Sequence, residues 1–471
     1  MTRGKVIGHR GLLLLLCIGF GHWACDATTE DPAARPNILL IVVDTLRADH
    51  VGVYGHSRPT TPAIDALAEE GSFFPEAFAQ SSWTLPSMTT LLTGLFPHQH
   101  RVGRDPTESR LFGRLAPEIP TLAERLGEAG YARAAIVNNT FLAPEFGLAR
   151  GFETYDYQGA TKWRIRSAEE SVEAALQWVD DQPRPWFLVL HFMEPHLFYD
   201  PPESVRGVFT GAGPPPVEVP FGTDSVVAEI RSAGLTSEQR DYVERLYDEE
   251  ILYVDRAVGR LVETLRSEPA GKNLVVIVTA DHGEEFFDHG GFEHGHTLYG
   301  ELIRVPLVIS GPGLARGEVR GVVQHVDLSR GILGLAGASQ EGLPGGVDLF
   351  AVLRDGQSIE PSREALSENV LYGPPRASLS RAHRRLHRRL DRPSGEVWAL
   401  DENGVEIAPV APAERPELFR QLSAGLKARR GNVRAWAPEA GLRLENDEML
   451  GQLKALGYLE AESGQSMDLQ Q

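Results

Sequence analysis

The chain has 471 residues, enough for one large α/β domain with a smaller companion or for two to three average domains, and its 42% hydrophobic content is ample for a core. Its 46 basic and 65 acidic residues give a formal charge of -19, which argues against nucleic acid as the main partner because phosphate backbones recruit Lys and Arg. Both cysteines, Cys17 and Cys25, lie near the N-terminus, so the rest of the chain offers no disulfide, thiolate metal ligand or cysteine nucleophile.

Arg3, Lys5 and Arg10 precede the apolar run Gly11 to Phe20, which is too short to span a bilayer and reads as an export signal over residues 1–25. Ala24-Cys25-Asp26, followed by polar, Pro-containing sequence, resembles a bacterial lipoprotein junction with Cys25 lipidated. His22, however, stands where such signals carry Leu. Lipidation, plain cleavage and an uncleaved anchor all stay open. The expectation is an exported protein of the periplasm or cell envelope, with a membrane tether at the N-terminus as one form.

Asn37 to Val43 is a continuous apolar run ending in Asp44, and Asn273 to Ala280 is a second one ending in Asp281-His282-Gly283. Such runs read as strands buried on both faces of a parallel sheet, whose ligand sites lie beyond the carboxyl ends. Two carboxylates and an imidazole delivered there outline a metal site. Asp49 and His50, just after the first strand, are expected to make structural hydrogen bonds.

Thr61-Pro62 starts a helix with Ile64, Leu67 and Ala68 on one face and Gly71 at its end. Pro86 is expected to open a short helix ending near Gly94, placing Thr84 at its N-terminus. There a hydroxyl that also binds a metal could act as a nucleophile, while a plain N-cap is the simpler reading. A helix over Pro120 to Ala129, a strand over Ala132 to Val137, a helix over Ser167 to Val179 and a strand over Trp186 to Phe192 follow. Pro201 to Thr236 reads as a long surface loop near the site, and Tyr247 to Leu265 as a buried amphipathic helix. This alternation implies a largely parallel or mixed sheet between helices. Beyond Gly346, short strands and basic turns suggest a smaller subdomain. The cluster from Arg381 to Arg389 reads there as a solvated surface or as a clamp through Arg384 and Arg388 for an anionic substrate.

The ordered motifs resemble the sulfatase family of the alkaline phosphatase superfamily. They run from Asn37-Ile38-Leu39-Leu40-Ile41-Val42-Val43-Asp44-Thr45-Leu46-Arg47 through Tyr54-Gly55, Thr61-Pro62-Ala63-Ile64-Asp65 and the Thr84 segment ending Leu91-Leu92-Thr93-Gly94. Glu194-Pro195-His196, Asp281-His282-Gly283-Glu284, His294-Gly295, Arg304-Val305-Pro306-Leu307 and the tail Leu453 to Tyr458 complete the set. The resemblance covers about residues 35–460. It implies an α/β/α sandwich around a large mixed sheet over residues 35–345, a small C-terminal antiparallel-sheet subdomain over 346–435 and a tail over 436–471. It also implies one divalent metal and an anionic ester substrate. Asp44, Thr84, Asp281 and His282 would form the metal shell, Thr84 the nucleophile, and His196 and His294 would face the transferred group. His296 could replace or join His294, and His289 could belong to the same loop.

Three departures matter. Sulfatases proper carry Cys or Ser in Cys-x-Pro-x-Arg, oxidised to formylglycine; here the residues are Thr84-Leu85-Pro86-Ser87-Met88, so no formylglycine is expected. Thr45 replaces the second Asp of the usual pair, and His282 replaces Asn. These changes resemble relatives that use Thr directly, such as lipoteichoic acid synthases and phosphoethanolamine transferases, and phosphodiesterases of the superfamily. A Thr ester cannot collapse to a carbonyl, so its release needs attack at the central atom, which favours phosphoryl over sulfuryl transfer. The expectation is a phosphate or sulfate ester, glycan- or lipid-linked, with Mn²⁺ or Zn²⁺ favoured by the mixed donors and Ca²⁺ or Mg²⁺ open. A sulfatase using Thr84, an envelope transferase and an inactive glycan or lipid binder are the alternatives.

Overall fold

Asn37–Val43 is fully buried and central, as its unbroken apolar run requires, with Trp186–Phe192 and Leu274–Ala280 parallel on either side. In the computed structural model an eight-stranded sheet follows from this core. Its order is Gly317–Glu318, Ser72–Phe73, Leu307–Ser310, Leu274–Ala280, Asn37–Val43, Trp186–Phe192, Ala132–Val137, Thr154–Tyr157. Leu307–Ser310 runs antiparallel to both of its neighbours, so the sheet is mixed. The structure describes Met1–Thr2 and residues 35–455, except 106–107, 109–110, 160–164, 184, 223–229, 231–232, 382, 392–394, 402–405, 412–414, 432–440 and 444–446. The signal segment, both cysteines and the tail beyond residue 455 lie outside the described residues. No helix among the described residues is long and apolar enough to cross a membrane.

The register does the positioning. Val43 pairs with Ala280 on one side and Phe192 on the other, so Asp44 and Asp281 leave the sheet side by side. Neighbouring strands lie about 4.8 Å apart, close enough for two such carboxylates to share one cation. Ala132–Val137 pairs in parallel with Trp186–Phe192, delivering Asn138 and Asn139 to the same edge. Helices Pro62–Glu70, Ala168–Asp180 and Ser237–Ser267 pack together, and Thr84–Thr93 packs with Leu122–Glu128 and His325–Leu335.

The long helix begins at Ser237, ten residues before the expected start at Tyr247. Its first turns are polar, so periodicity hid them. A capping box, in which Thr236 accepts from the Gln239 N–H and Gln239 answers to Thr236, sets the start. The stretch after Gly346 forms a helix, Leu349–Asp355, whose Leu349, Phe350 and Leu353 join the main core. The small sheet starts at Glu364. Five antiparallel strands, Glu364–Glu368, Arg376–Arg381, Arg384–Arg389, Gly395–Leu400 and Glu406–Pro409, carry helix Arg415–Arg430 on one face. Leu366, Leu379, Leu386, Val397, Leu422 and Leu426 form that layer's core. The tail returns to the main body: Gly441–Arg443 pairs with Leu111–Gly113, and Leu453 of helix Asp447–Ala455 is fully buried.

The basic run departs from a solvated surface at Arg385. Arg384–Arg389 is a strand between two others, and Arg385 is completely buried. Its guanidinium pairs with Glu406, donates to Ser380 Oγ at 2.7 Å and lies 5.2 Å from the Phe78 ring. Arg384 donates to the His383 carbonyl beside it.

Candidate active site

Thr84 is the first residue of its helix, two residues earlier than Pro86 suggested. Pro86 sits inside the first turn, where its missing N–H costs nothing. The Thr84 hydroxyl therefore caps no helix N–H. Instead Oγ1 lies 3.3 Å from His282 Nε2 and 3.3 Å from Asn139 Nδ2, with the side chain completely buried.

Donor atoms of Asp44, Asp281 and His282 all lie within 4.8 Å of one another. His282 Nδ1–H donates to the Gly283 carbonyl at 2.9 Å, which turns the Nε2 lone pair towards Asp281 Oδ2 at 3.3 Å and Asp44 Oδ1 at 3.6 Å. Those two carboxylate oxygens are buried and have no hydrogen-bond partner. Burial, and then the charge of Asp281, holds the Asp44 carboxyl well above its ordinary range. Lone pairs converging in a dry site, with a backbone carbonyl fixing the imidazole, form a donor set for one divalent cation. Thr84 Oγ1, 3.3 Å from His282 Nε2, stands where it could join them. Thr45, where the resemblance has a second Asp, adopts φ 56° and turns its N–H to Asp281 Oδ1 at 3.3 Å. A β-branched residue in that conformation is strained; Tyr247 holds it by donating to the Thr45 carbonyl at 2.6 Å and accepting the Arg47 N–H.

His196 and His294 come together beside this group. Their rings lie 5.0 Å apart, and His294 lies 4.5 Å from His282. Burial, reinforced by neighbouring imidazoles, keeps both well below the ordinary histidine range, so both are neutral near pH 7. His294 Nδ1 faces Glu284 Oε1 at 2.9 Å, and burial pushes that carboxyl up to about 7. His296 is placed differently: its Nε2 bonds Glu285 at 2.7 Å. His289 stacks on Tyr299 and bonds Glu301. Asp49 pairs with Arg47, while His50, with His56 and Arg58, binds Asp248 on the long helix.

Three further residues belong to the site. Asn139 bridges Asp44 Oδ2, at 2.7 Å, and Thr84. His191 Nε2 stands 3.5 Å from Asp44 Oδ2, and burial lowers it to about 4. His325, likewise lowered to about 4 by burial, approaches Ser87 Oγ at 3.5 Å, and Ser87 donates to the Asp281 carbonyl at 2.5 Å. A signal for Asn139 is present in the sequence: it lies two residues past the strand end at Val137, whereas Asp44 and Asp281 lie one past theirs.

The Sulfatase family model matches residues 36–338. The chain belongs to the sulfatase family. It shares the alkaline phosphatase superfamily's mixed α/β fold with a small C-terminal antiparallel sheet, and it is an ester hydrolase. The Delta 4,5-hexuronate-2-O-sulfatase of Bacteroides thetaiotaomicron is 26% identical over 364 residues, covering 70% of this chain and 74% of that protein. The phosphonate monoester hydrolase of Agrobacterium radiobacter superposes with a TM-score of 0.70 at 21% identity, covering 87% of this chain and 97% of that one. A structure in complex with its substrate D-glucosamine-2-N,6-O-disulfate superposes with a TM-score of 0.67 at 18% identity, covering 84% and 97%.

Proposed function

We propose that this sulfatase-family hydrolase transfers a phosphoryl group from an anionic ester through a covalent phospho-Thr84 intermediate. The observation that carries the reading is the Thr84 hydroxyl, buried and uncommitted to helix capping, 3.3 Å from a His282 nitrogen whose lone pair faces two unpartnered carboxylate oxygens. Asp44, Asp281, His282 and Thr84 would hold one divalent cation, Mn²⁺ or Zn²⁺ by donor type, which supplies Lewis-acid charge for the transferring group.

Thr84, its proton lost to solvent, attacks phosphorus in line, and the Oγ1–P bond forms as the bond to the leaving alcohol breaks. His196, whose Nδ1–H is held by the Leu197 carbonyl at 2.6 Å, lines the site beside His294 as a neutral ring. The His294–Glu284 pair carries a proton near neutrality because burial raises Glu284 to about 7. That proton goes to the departing alcohol. In the second step water attacks phosphorus and returns a proton to the pair, and the Oγ1–P electron pair goes back to Thr84.

Sulfate ester hydrolysis by Thr84 is the second reading, favoured by the sulfatase named above among the relatives. Its difficulty is chemical, since a Thr sulfate has no carbonyl into which to collapse. Chromogenic phosphodiester, phosphonate monoester and sulfate monoester compared with Mn²⁺ present, beside Thr84→Ala, separate the two. Phosphoester turnover lost in the variant supports the proposal; sulfate turnover alone overturns it. Export, proposed on the N-terminal signal pattern, would place the substrate in the cell envelope, and cell fractionation tests it.

A further inference from the structure

We infer that Asn139 is a catalytic residue: its side-chain amide is the fixed hydrogen-bond donor for the Thr84 oxygen, first as nucleophile and then as leaving group. The inference rests on the proposal that Thr84 is the nucleophile.

The orientation of the amide is forced. Asn139 Oδ1 accepts the Phe141 N–H at 2.9 Å, capping the turn Thr140–Leu142. Nδ2 then faces Asp44 Oδ2 at 2.7 Å and Thr84 Oγ1 at 3.3 Å. The opposite flip would set an oxygen against a carboxylate and an NH₂ against an N–H. An amide nitrogen carries two hydrogens, so one serves each oxygen. The side chain is completely buried, and water cannot take the donor's place.

Two consequences follow. An amide N–H can donate and cannot accept, so Asn139 is no base for Thr84; it favours the state in which Oγ1 carries negative charge. That state occurs twice. In the first step the Oγ1 electron pair forms the bond to phosphorus as the alcohol leaves. In the second, water forms the new bond to phosphorus and the Oγ1–P pair returns to Oγ1, where the same N–H meets it. Asn139 also sorts the oxygens of Asp44, occupying Oδ2 and leaving Oδ1 unpartnered on the side of His282.

The test uses the full-length enzyme loaded with Mn²⁺, comparing Asn139→Asp, Asn139→Ala and Thr84→Ala on a chromogenic phosphodiester. Asn139→Asp keeps the cap to Phe141 but sets a carboxylate in place of the donor, against Asp44; Asn139→Ala removes donor and cap and adds no charge, so a fall common to both reports the lost donor. Loss of one preorganised oxyanion donor lowers kcat by about 10²–10³-fold. Both Asn139 variants are expected to show that fall with KM changed by no more than about threefold, one metal per chain, and no recovery in excess Mn²⁺. Wild-type kcat in both, or recovery by excess Mn²⁺, overturns the inference, the latter because the residue would then serve only to retain metal. A Thr84→Ala enzyme that keeps its activity overturns the nucleophile reading and this inference with it. An inactive Thr84→Ala beside fully active Asn139 variants overturns this inference alone.

Discussion

Glu406→Gln tests what fastens the C-terminal sheet to the catalytic body. Glu406 Oε1 pairs with Arg385 and faces His387 Nε2 at 3.1 Å, while Oε2 accepts the Gly300 N–H at 2.9 Å beside the site loops. Burial alone would raise this carboxyl; the charge of Arg385 and the His387 and Arg385 bonds override burial and bring it from 4.5 to about 2. A depressed carboxyl contributes stability that is fully present above its unfolded value and is lost as pH falls towards its folded value. That shift corresponds to about 3 kcal/mol at pH 7, near the cost of stripping a buried cation of its partner. At pH 3 most of the advantage is gone, and about 1 kcal/mol remains. Gln keeps the shape and one acceptor but leaves the Arg385 charge uncompensated. Urea unfolding followed by emission of Trp398, which packs against His289 and Tyr299, should show the larger loss at pH 7 and the smaller at pH 3. Equal losses at the two pH values would refute the electrostatic argument and assign the effect to packing.

Gly283→Ala should abolish activity and metal retention together, because a Cβ there would stand 1.9 Å from the Glu301 carbonyl oxygen and displace His282; metal content and turnover check it. Chelation should remove activity and lower Tm, since Asp44 and Asp281 are left as unscreened buried carboxylates, with Mn²⁺ restoring both in a thermal melt. His294→Ala should cut kcat by about 10²–10⁴-fold, the range for a lost proton-transfer group, whereas His296→Ala should leave it within about tenfold; steady-state kinetics on one phosphodiester decides between the two rings.

What could be read from the sequence was what a single local pattern encodes. Asp44 and Asp281 were visible because an apolar run ending in an acid is a strand end carrying a polar group to the sheet's edge. Asn139 occupies the same kind of position, yet Asn after a strand reads equally as a turn residue, and the amide's direction is set by the Phe141 N–H. The strand Arg384–Arg389 hides for a different reason. Its only apolar residue is Leu386, and the carboxylate that permits Arg385 to be buried stands 21 residues away. Residues 237–246 carry almost no apolar periodicity, so only the Thr236 cap announces the helix. Long-range charge pairing and capping decide these cases, and neither leaves a periodic trace.

The position where sulfatases proper carry the motif arginine holds Met88, fully buried in the main core. At that position, one helical turn after Thr84, an apolar side chain packed in the core stands in place of a cation. The stabilisation such an arginine would give the transferring group has to come from elsewhere. The His294–Glu284 pair, the donor of Asn139 and a cation that Asp44, Asp281 and His282 could hold are the candidates. This distribution suits a hydroxyl nucleophile. An alkoxide needs donors and a metal on its own oxygen, in the attack and again in the release, and Thr84 Oγ1 is the atom on which Asn139 and His282 converge at 3.3 Å.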